Sequence, residues 1–445
     1  MSLKVIILAA GQGTRMKSEL PKVMHKVCNQ PMLEHVINNT KIDDSEAIVV
    51  IGHKSEIVKE YFGDSVNYVY QTEQLGTGHA VMMAIDHITD NDEVLIICGD
   101  TPLIDRYILE DMYRLKNSGK QAVVMTANVD DPSGYGRILK HNDKFIKIVE
   151  EKDSNENQKA IKEINAGTYI IDGSLLRKEL GNLSTDNSQN EYYLTDVLEN
   201  IAMNYDVATF NIDSESILGV NSRIQLSQAE FTMRKRINEI LMKNGVTIIN
   251  PDCTYIDKSV IIDKDCVIYP NCTITGNTVI GKNTVVRENT TIENSLIGEG
   301  VNIKSSTIIE AQIGDGTTVG PYAYLRPKSV IGKNCKVGDF VEFKNAKFGD
   351  GSKASHLSYI GDAEVGKNVN IGCGVVFVNY DGKNKFKTIV KDNSFVGSNS
   401  NLVAPVIIEE NSFIAAGSTI TDDVPKDTLA IARGRQVNKV NWKKK

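Results

Sequence analysis

The sequence predicts two folds in one chain: an α/β domain on a mostly parallel sheet, then a parallel β-helix. Three observations lead there. Residues 3 to about 220 alternate apolar, often β-branched runs with helical patterns. From about residue 250, aliphatic residues recur at every sixth position. Between them, residues 222–245 are rich in helix formers and end at Gly245, a reasonable C-cap. With 445 residues, at roughly 150 per domain, the chain has room for about three units.

The first half supplies strands in "KVIILAA", "EAIVVIG", "NYVYQ", "EVLIICGD" and "QAVVMTANV". Helical patterns lie between several of them, as in "MLEHVINNTK", "GHAVMMAIDHI" and "RYILEDMYRLKNSG". Strand–helix alternation of this kind builds an α/β layer, and ligands of such sheets bind at the carboxyl ends of the strands. The loop "GQGTR" and Asp100 both follow strands at that end.

The second half reads Ile256, Ile262, Ile268, Ile274, Ile280, Val286 and Ile292, each six apart. After a slip in phase, Ile313, Val319, Leu325, Ile331 and Val337 resume the spacing. Neither a 3.6-residue helix nor a two-residue strand alternation has this period. A hexapeptide repeat stacks one aliphatic side chain per face up a solenoid core. The segment "NYDGKNKFKT", Asn379 to Thr388, interrupts it as a polar loop and carries Lys383, Lys385 and Lys387.

Composition bounds the function. The chain is 41% hydrophobic and 24% charged, with 50 Lys and Arg against 57 Asp and Glu, for a net charge of -7. A mildly acidic chain repels a phosphodiester backbone and makes a poor general nucleic-acid binder. No apolar stretch approaches the roughly 18 residues that span a membrane, and no signal-peptide pattern opens the chain. Seven cysteines are scattered singly with no CxxC pair. That argues against a disulfide framework or a thiolate zinc site and for free thiols in a reducing, cytoplasmic compartment.

The loop after the first strand holds Gly11 and Gly13, then Arg15, Lys17 and Lys22. Backbone N–H groups of such a loop wrap phosphate oxygens, an Arg adds a forked donor and a Lys a point charge. Met16 stands where a dinucleotide fold needs its third glycine, and no GxxxxGK[ST] is present. In the second half, a group that takes up a proton near neutral pH would ordinarily be a His. Of seven His, only His356, in "KASHLSYIGD", lies in the repeats. Cations on neighbouring coils are expected to crowd it and favour the neutral ring.

The motifs "LAAGQGTRM…LPK", "QLGTGHA", "GD.PL", "GYGRI", "VEEKD", "EINAG" and "GVNSR" follow in order. They resemble the sugar-1-phosphate nucleotidylyltransferases. With the hexapeptide half, the whole chain resembles the bifunctional N-acetylglucosamine-1-phosphate uridyltransferase/glucosamine-1-phosphate acetyltransferases of bacteria. The resemblance implies a Rossmann-like nucleotidyltransferase domain over residues 1–224, a linker helix over 225–246, and a left-handed β-helix acetyltransferase domain over 247–445. It implies a homotrimer with acetyl-CoA between subunits, and UDP-N-acetylglucosamine as product.

Residue by residue, the resemblance assigns Mg²⁺ to Asp100 and Asn221, and the phosphates and transition state to Arg15 and Lys22. Leu8, Ala9 and Gly11 would line the uridine side, with Gln71, Gly76 and Thr77 reading base and ribose. Gly136, Glu150 and Asn165 would hold N-acetylglucosamine 1-phosphate. His356 would be the base of acetyl transfer, with Arg326, Lys344, Tyr359, Asn370 and Lys385 binding glucosamine 1-phosphate. Acetyl-CoA would meet Cys373, Asn379, Tyr380, Ser398, Ala416 and Arg433. Two other readings stand beside this one. A monofunctional nucleotidylyltransferase with a structural or regulatory β-helix would not need His356 and its cations. A non-catalytic regulatory subunit would not be expected to keep Arg15, Lys22 and Asp100.

Overall fold

The computed structural model describes residues 2–440 and 442. The chain divides into two compact units, Met1–Met233 and Arg234–Lys445. The division falls inside the long helix Arg223–Lys243. That helix ends as its sequence asks: Gly245 has φ 95°, and the N–H of Val246 reaches back to the Leu241 carbonyl at 3.1 Å.

In the first unit the main sheet runs in the order Val207–Ile212, Ala122–Asn128, Glu163–Asp172, Glu93–Cys98, Leu3–Leu8, Glu46–Ile51, Asn67–Tyr70. All neighbours are parallel except Glu163–Asp172, which is antiparallel to both its partners. The hairpin Arg137–His141 and Lys144–Val149 attaches to that strand. The strands read as continuous apolar runs because both faces are covered. Val5, Ile7, Val49 and Leu95 enter one core, and Ile6, Ile48, Val50 and Ile96 enter the other. Period-two alternation thus separates neighbours in sequence onto opposite sides of the sheet.

In the second unit, two-to-seven-residue strands pair in parallel with the coil above. Ile256 pairs with Ile274 and Ile274 with Ile292, so one coil is three six-residue faces. The slip in phase is a shortened coil: Ile292 pairs with Ile308, and Ile297 with Ile313. The aliphatic ladder is buried throughout. Small polar residues also point inward at the corners and bond coil to coil, as Thr284 does: its Oγ1 donates to the Gly298 carbonyl at 2.9 Å and accepts from the Val301 N–H at 3.1 Å. The turns need left-handed backbone, which Asn tolerates better than most residues. Asn271, Asn289, Asn334, Asn368, Asn393 and Asn411 all have φ between 54 and 61°. The loop expected over 379–388 leaves the coil between strands Val376–Val378 and Thr388–Val390 and is pinned by an antiparallel bridge from Tyr380 to Lys385.

Candidate active sites

The first candidate site lies at the carboxyl ends of the first unit's parallel strands. Leu3–Leu8 ends in the loop that carries Ala9, Gly11 and Gly13, and Glu93–Cys98 ends in Asp100. Gly13 has φ 62°, and a side chain there would meet Lys22 Cβ at 2.6 Å. The glycine therefore lets the loop close onto the Lys22 turn. Pro21 sets the start of that turn, Lys22–Met24.

Leu8, Ala9, Gly11, Lys22, Gln71, Gly76, Thr77 and Asp100 line one cleft of about 250 Å³. Eight residues that the resemblance assigned, from stretches far apart in sequence, thus meet in one place. Cys98 and Glu191 also line it, and sequence reasoning had no signal for either. Burial pushes the Cys98 thiol up to about 12, so it serves as neutral wall. Arg15, on the short turn Thr14–Met16, is exposed and is not among the lining residues.

Lys22 Nζ donates to Asp100 Oδ2 and, at 3.0 Å, to Asn221 Oδ1. The two oxygens expected to hold a metal therefore already converge on one cationic centre, although they lie far apart in sequence. Hard oxygen donors, one of them a carboxylate, suit Mg²⁺, which keeps its other positions for water and phosphate. Among the described residues no group of three or more His, Cys, Asp or Glu forms a protein-only cage. The Gln225 side chain accepts from the Asn221 N–H at 2.9 Å, and the Asp100 carbonyl accepts from Val220 at 2.9 Å, which fixes both donors.

Gly136, Glu150 and Asn165 form a second group. Asn165 N–H donates to the Gly136 carbonyl at 2.8 Å, and a side chain at Gly136 would meet Glu150 Oε2 at 3.5 Å. Burial raises the Glu150 carboxyl above its ordinary range, while Thr195 Oγ1 donates to it at 3.2 Å. Buried Arg137 ties the two loops together through Glu151 at 2.7 Å. Cys98, in the cleft wall, reaches the Gly167 carbonyl at 3.9 Å and so connects this group to the first.

The second candidate site lies on the β-helix. Strands Lys336–Asp339 and Lys353–His356 are stacked coils, and their register sets Asp339 beside His356. His356 Nδ1 lies 2.7 Å from Asp339 Oδ1. The Asp339 carboxyl is held below the usual range by its own backbone N–H and by His356. Cations were expected around the ring; the partner within hydrogen-bonding reach is instead an acid. Sequence reasoning missed Asp339 because only the coil pitch brings it to His356.

The cations gather on a different face. Arg326 bonds Glu342 at 2.9 Å, and the Lys344 ammonium is pushed below its ordinary range by Lys385 beside it. Tyr359 OH and Asp362 accept from the Asn379 amide. Arg326, Lys344, Tyr359 and Lys385 are thus brought together, and Asn379 joins them. Asn370 does not: it pairs in register with Lys353 and Phe395, in the sheet that carries His356. Cys373, Ser398 and Ala416 form a column, each two residues beyond the paired Ile371, Val396 and Ile414. Arg433 approaches Gly417 next to that column, while Tyr380 stays on the loop with its OH on the Gly382 carbonyl at 2.6 Å.

The comparisons with known proteins now bear on this geometry. The family model for nucleotidyl transferases matches residues 4–216. The model for the bacterial transferase hexapeptide, six repeats, matches residues 310–345 and 387–422, and that for the GMPPB C-terminal domain matches 255–321. The bifunctional protein GlmU of Clostridioides difficile is 54% identical over 100% of this chain and 98% of its own.

The chain belongs to the bifunctional GlmU family.

The GlmU proteins of Alkaliphilus metalliredigens and Shouchella clausii are 52% and 50% identical, each over 99% of this chain and 98% of their own. The chain is accordingly a bifunctional enzyme with acetyltransferase and uridyltransferase activities, and its repeats form a left-handed β-helix. Among the described residues no helix is long and apolar enough to cross a membrane.

Proposed function

We propose that each activity belongs to one half of the chain and that the residues assembled above carry it. The observation that carries this reading is the separation of two constellations, Lys22–Asp100–Asn221 and Asp339–His356, onto two different folds.

In acetyl transfer, glucosamine 1-phosphate sits with its phosphate between Lys344 and Lys385, where two crowded ammonium groups call for an anion, with Arg326 and Tyr359 beside it. Acetyl-CoA lies along the Cys373, Ser398 and Ala416 column, with Asn379, Tyr380 and Arg433. Asp339 holds the Nδ1 proton of His356, and Nε2 accepts the proton that the amine loses as it attacks the thioester carbonyl. The C–S bond breaks and coenzyme A leaves as the thiol.

In uridyl transfer, Gly136, Glu150 and Asn165 hold N-acetylglucosamine 1-phosphate. Its phosphate oxygen attacks the α-phosphorus of UTP, and pyrophosphate leaves. Leu8, Ala9 and Gly11 border the nucleoside, and Gln71, Gly76 and Thr77 read base and ribose. Lys22 and Arg15 neutralise the phosphates; Arg15 has to swing from its exposed position to do so. Positioning and charge neutralisation supply most of this catalysis. A bound Mg²⁺, held by Asp100 and Asn221, would offset charge on the triphosphate, with the Lys22 ammonium released from those oxygens to the phosphates.

We also propose a homotrimer in the cytoplasm. Phe395, Phe413 and Leu429 form an exposed apolar ladder, the two rings stacked 4.4 Å apart, and Asn370 stands at its foot. A second copy against that ladder would let Asn370 complete the sugar site of its neighbour. The seven cysteines are all free.

The test supplies glucosamine 1-phosphate, acetyl-CoA, UTP and Mg²⁺ and follows free thiol and pyrophosphate separately. His356→Ala should abolish thiol release and still uridylate added N-acetylglucosamine 1-phosphate. Lys22→Ala should do the reverse, with uridyl transfer down at least tenfold, since a hydrogen bond to a charged group is worth about 1.5–3 kcal/mol. A single substitution that silences both reactions in a folded protein would refute the division of labour.

A further inference from the structure

We infer that His79 is a positioning residue that makes the nucleotide cleft accept uracil and reject cytosine. The inference rests on the assignment of Gln71 to the base.

Gln71 is buried in the wall of the cleft. Its Nε2 makes two contacts: the Gly76 carbonyl at 3.1 Å and His79 Nδ1 at 3.2 Å. Gly76 caps the short helix Thr77–Met82 and His79 lies on its first turn, so one local element presents both partners. A carbonyl oxygen only accepts, so the amide nitrogen, and not Oε1, must face Gly76. Nδ1 of His79 then accepts the second N–H, and the ring proton sits on Nε2. One anchor would leave the amide free to turn about a single N–H···O axis. Two anchors fix its plane.

The consequence is the direction of Oε1. It takes no hydrogen bond from a described residue, and the side chain that carries it lines the cleft, so it is the acceptor left for a base. In a nucleotide, the polar edge of uracil has one N–H, at N3, between two carbonyls. A fixed acceptor therefore meets N3–H. Cytosine carries a lone pair at N3, and the same oxygen repels it. Discrimination comes from a buried polar group left unpaired by the wrong base.

The experiment uses the full-length protein and measures kcat/KM with UTP, CTP and 5-methyluridine triphosphate. His79→Phe keeps a ring and removes the acceptor. It should lower the UTP-over-CTP preference on the order of tenfold, mainly through KM for UTP. The preference between UTP and 5-methyluridine triphosphate should not move, because both keep N3–H. His79→Asn, whose Oδ1 stands in for Nδ1, should restore the UTP-over-CTP preference. Should His79→Phe fail to fold, as judged by melting and by acetyl transfer, His79→Leu, which also lacks an acceptor, replaces it and should show the same loss. Gln71→Ala separates the two readings. If it leaves the UTP-over-CTP ratio unchanged, the base assignment fails. If it collapses the ratio while His79→Phe and His79→Leu preserve it, the assignment stands and the role of His79 is refuted.

Discussion

His356 Nδ1 is committed to Asp339 at 2.7 Å, and that contact selects the nitrogen left to accept a proton. Asp339→Asn should lower kcat for acetyl transfer by about 10–100-fold, leave KM for glucosamine 1-phosphate unchanged and shift the pH profile of kcat. Uridyl transfer should not respond, and an unchanged kcat would show the contact to be idle. Glu150 makes the opposite kind of prediction. Burial raises its carboxyl, so the folded state binds its proton more tightly than the unfolded chain does. Stability is then lost as pH rises from the ordinary Glu range through the raised value. Glu150→Gln removes that loss, so its melting temperature should exceed that of the parent by a margin that grows with pH. The same variant should bind N-acetylglucosamine 1-phosphate more weakly. A margin that shrinks with pH would mean the carboxylate is compensated by partners.

At the scale of elements, the Asp339–His356 contact depends on how closely two coils stack. Gly338 precedes Asp339, and a side chain there would fall 1.9 Å from the Ser355 carbonyl oxygen on the next coil. Gly338→Ala forces Lys336–Asp339 and Lys353–His356 apart. The expected cost is about 1–3 kcal/mol, read as a lower melting temperature, with acetyl transfer falling further than a well-folded fraction accounts for. If activity simply tracks the folded fraction, the coil spacing does not govern the dyad. In the first unit, the element that matters is the strand end. Four adjacent parallel strands deliver their loops to one edge, which is why Leu8, Gln71 and Asp100 meet although dozens of residues separate them.

For the whole molecule, the two activities proposed for the two compact units differ in what they need. Removing divalent metal with a chelator should stop pyrophosphate release from UTP and N-acetylglucosamine 1-phosphate. It should leave thiol release from acetyl-CoA and glucosamine 1-phosphate within about twofold, since a His base needs no Lewis acid. Loss of both under chelation would place a structural metal in the fold or overturn the assignment of Asp100 and Asn221.

By itself, the sequence determined the architecture and most of the cast. A six-residue period has one good physical solution, so the β-helix was legible, down to a slip in phase that proved to be shortened coils. Strand–helix alternation gave the α/β half. The resemblance supplied eight of the residues that line the cleft of the first unit. Tertiary structure decided the rest, because the missing facts are distances between residues that no local pattern connects. Strand Glu163–Asp172 turned out antiparallel, since its direction is set by the hairpin and sheet around it. Cys98 and Glu191 reached the cleft without a motif. Asn370 left the cations it was grouped with, because coil geometry puts it on another face. Asp339 reached His356 because one coil of the β-helix is seventeen residues long at that point. A sequence states which groups are present; only the fold decides which of them stand within 3 Å of one another.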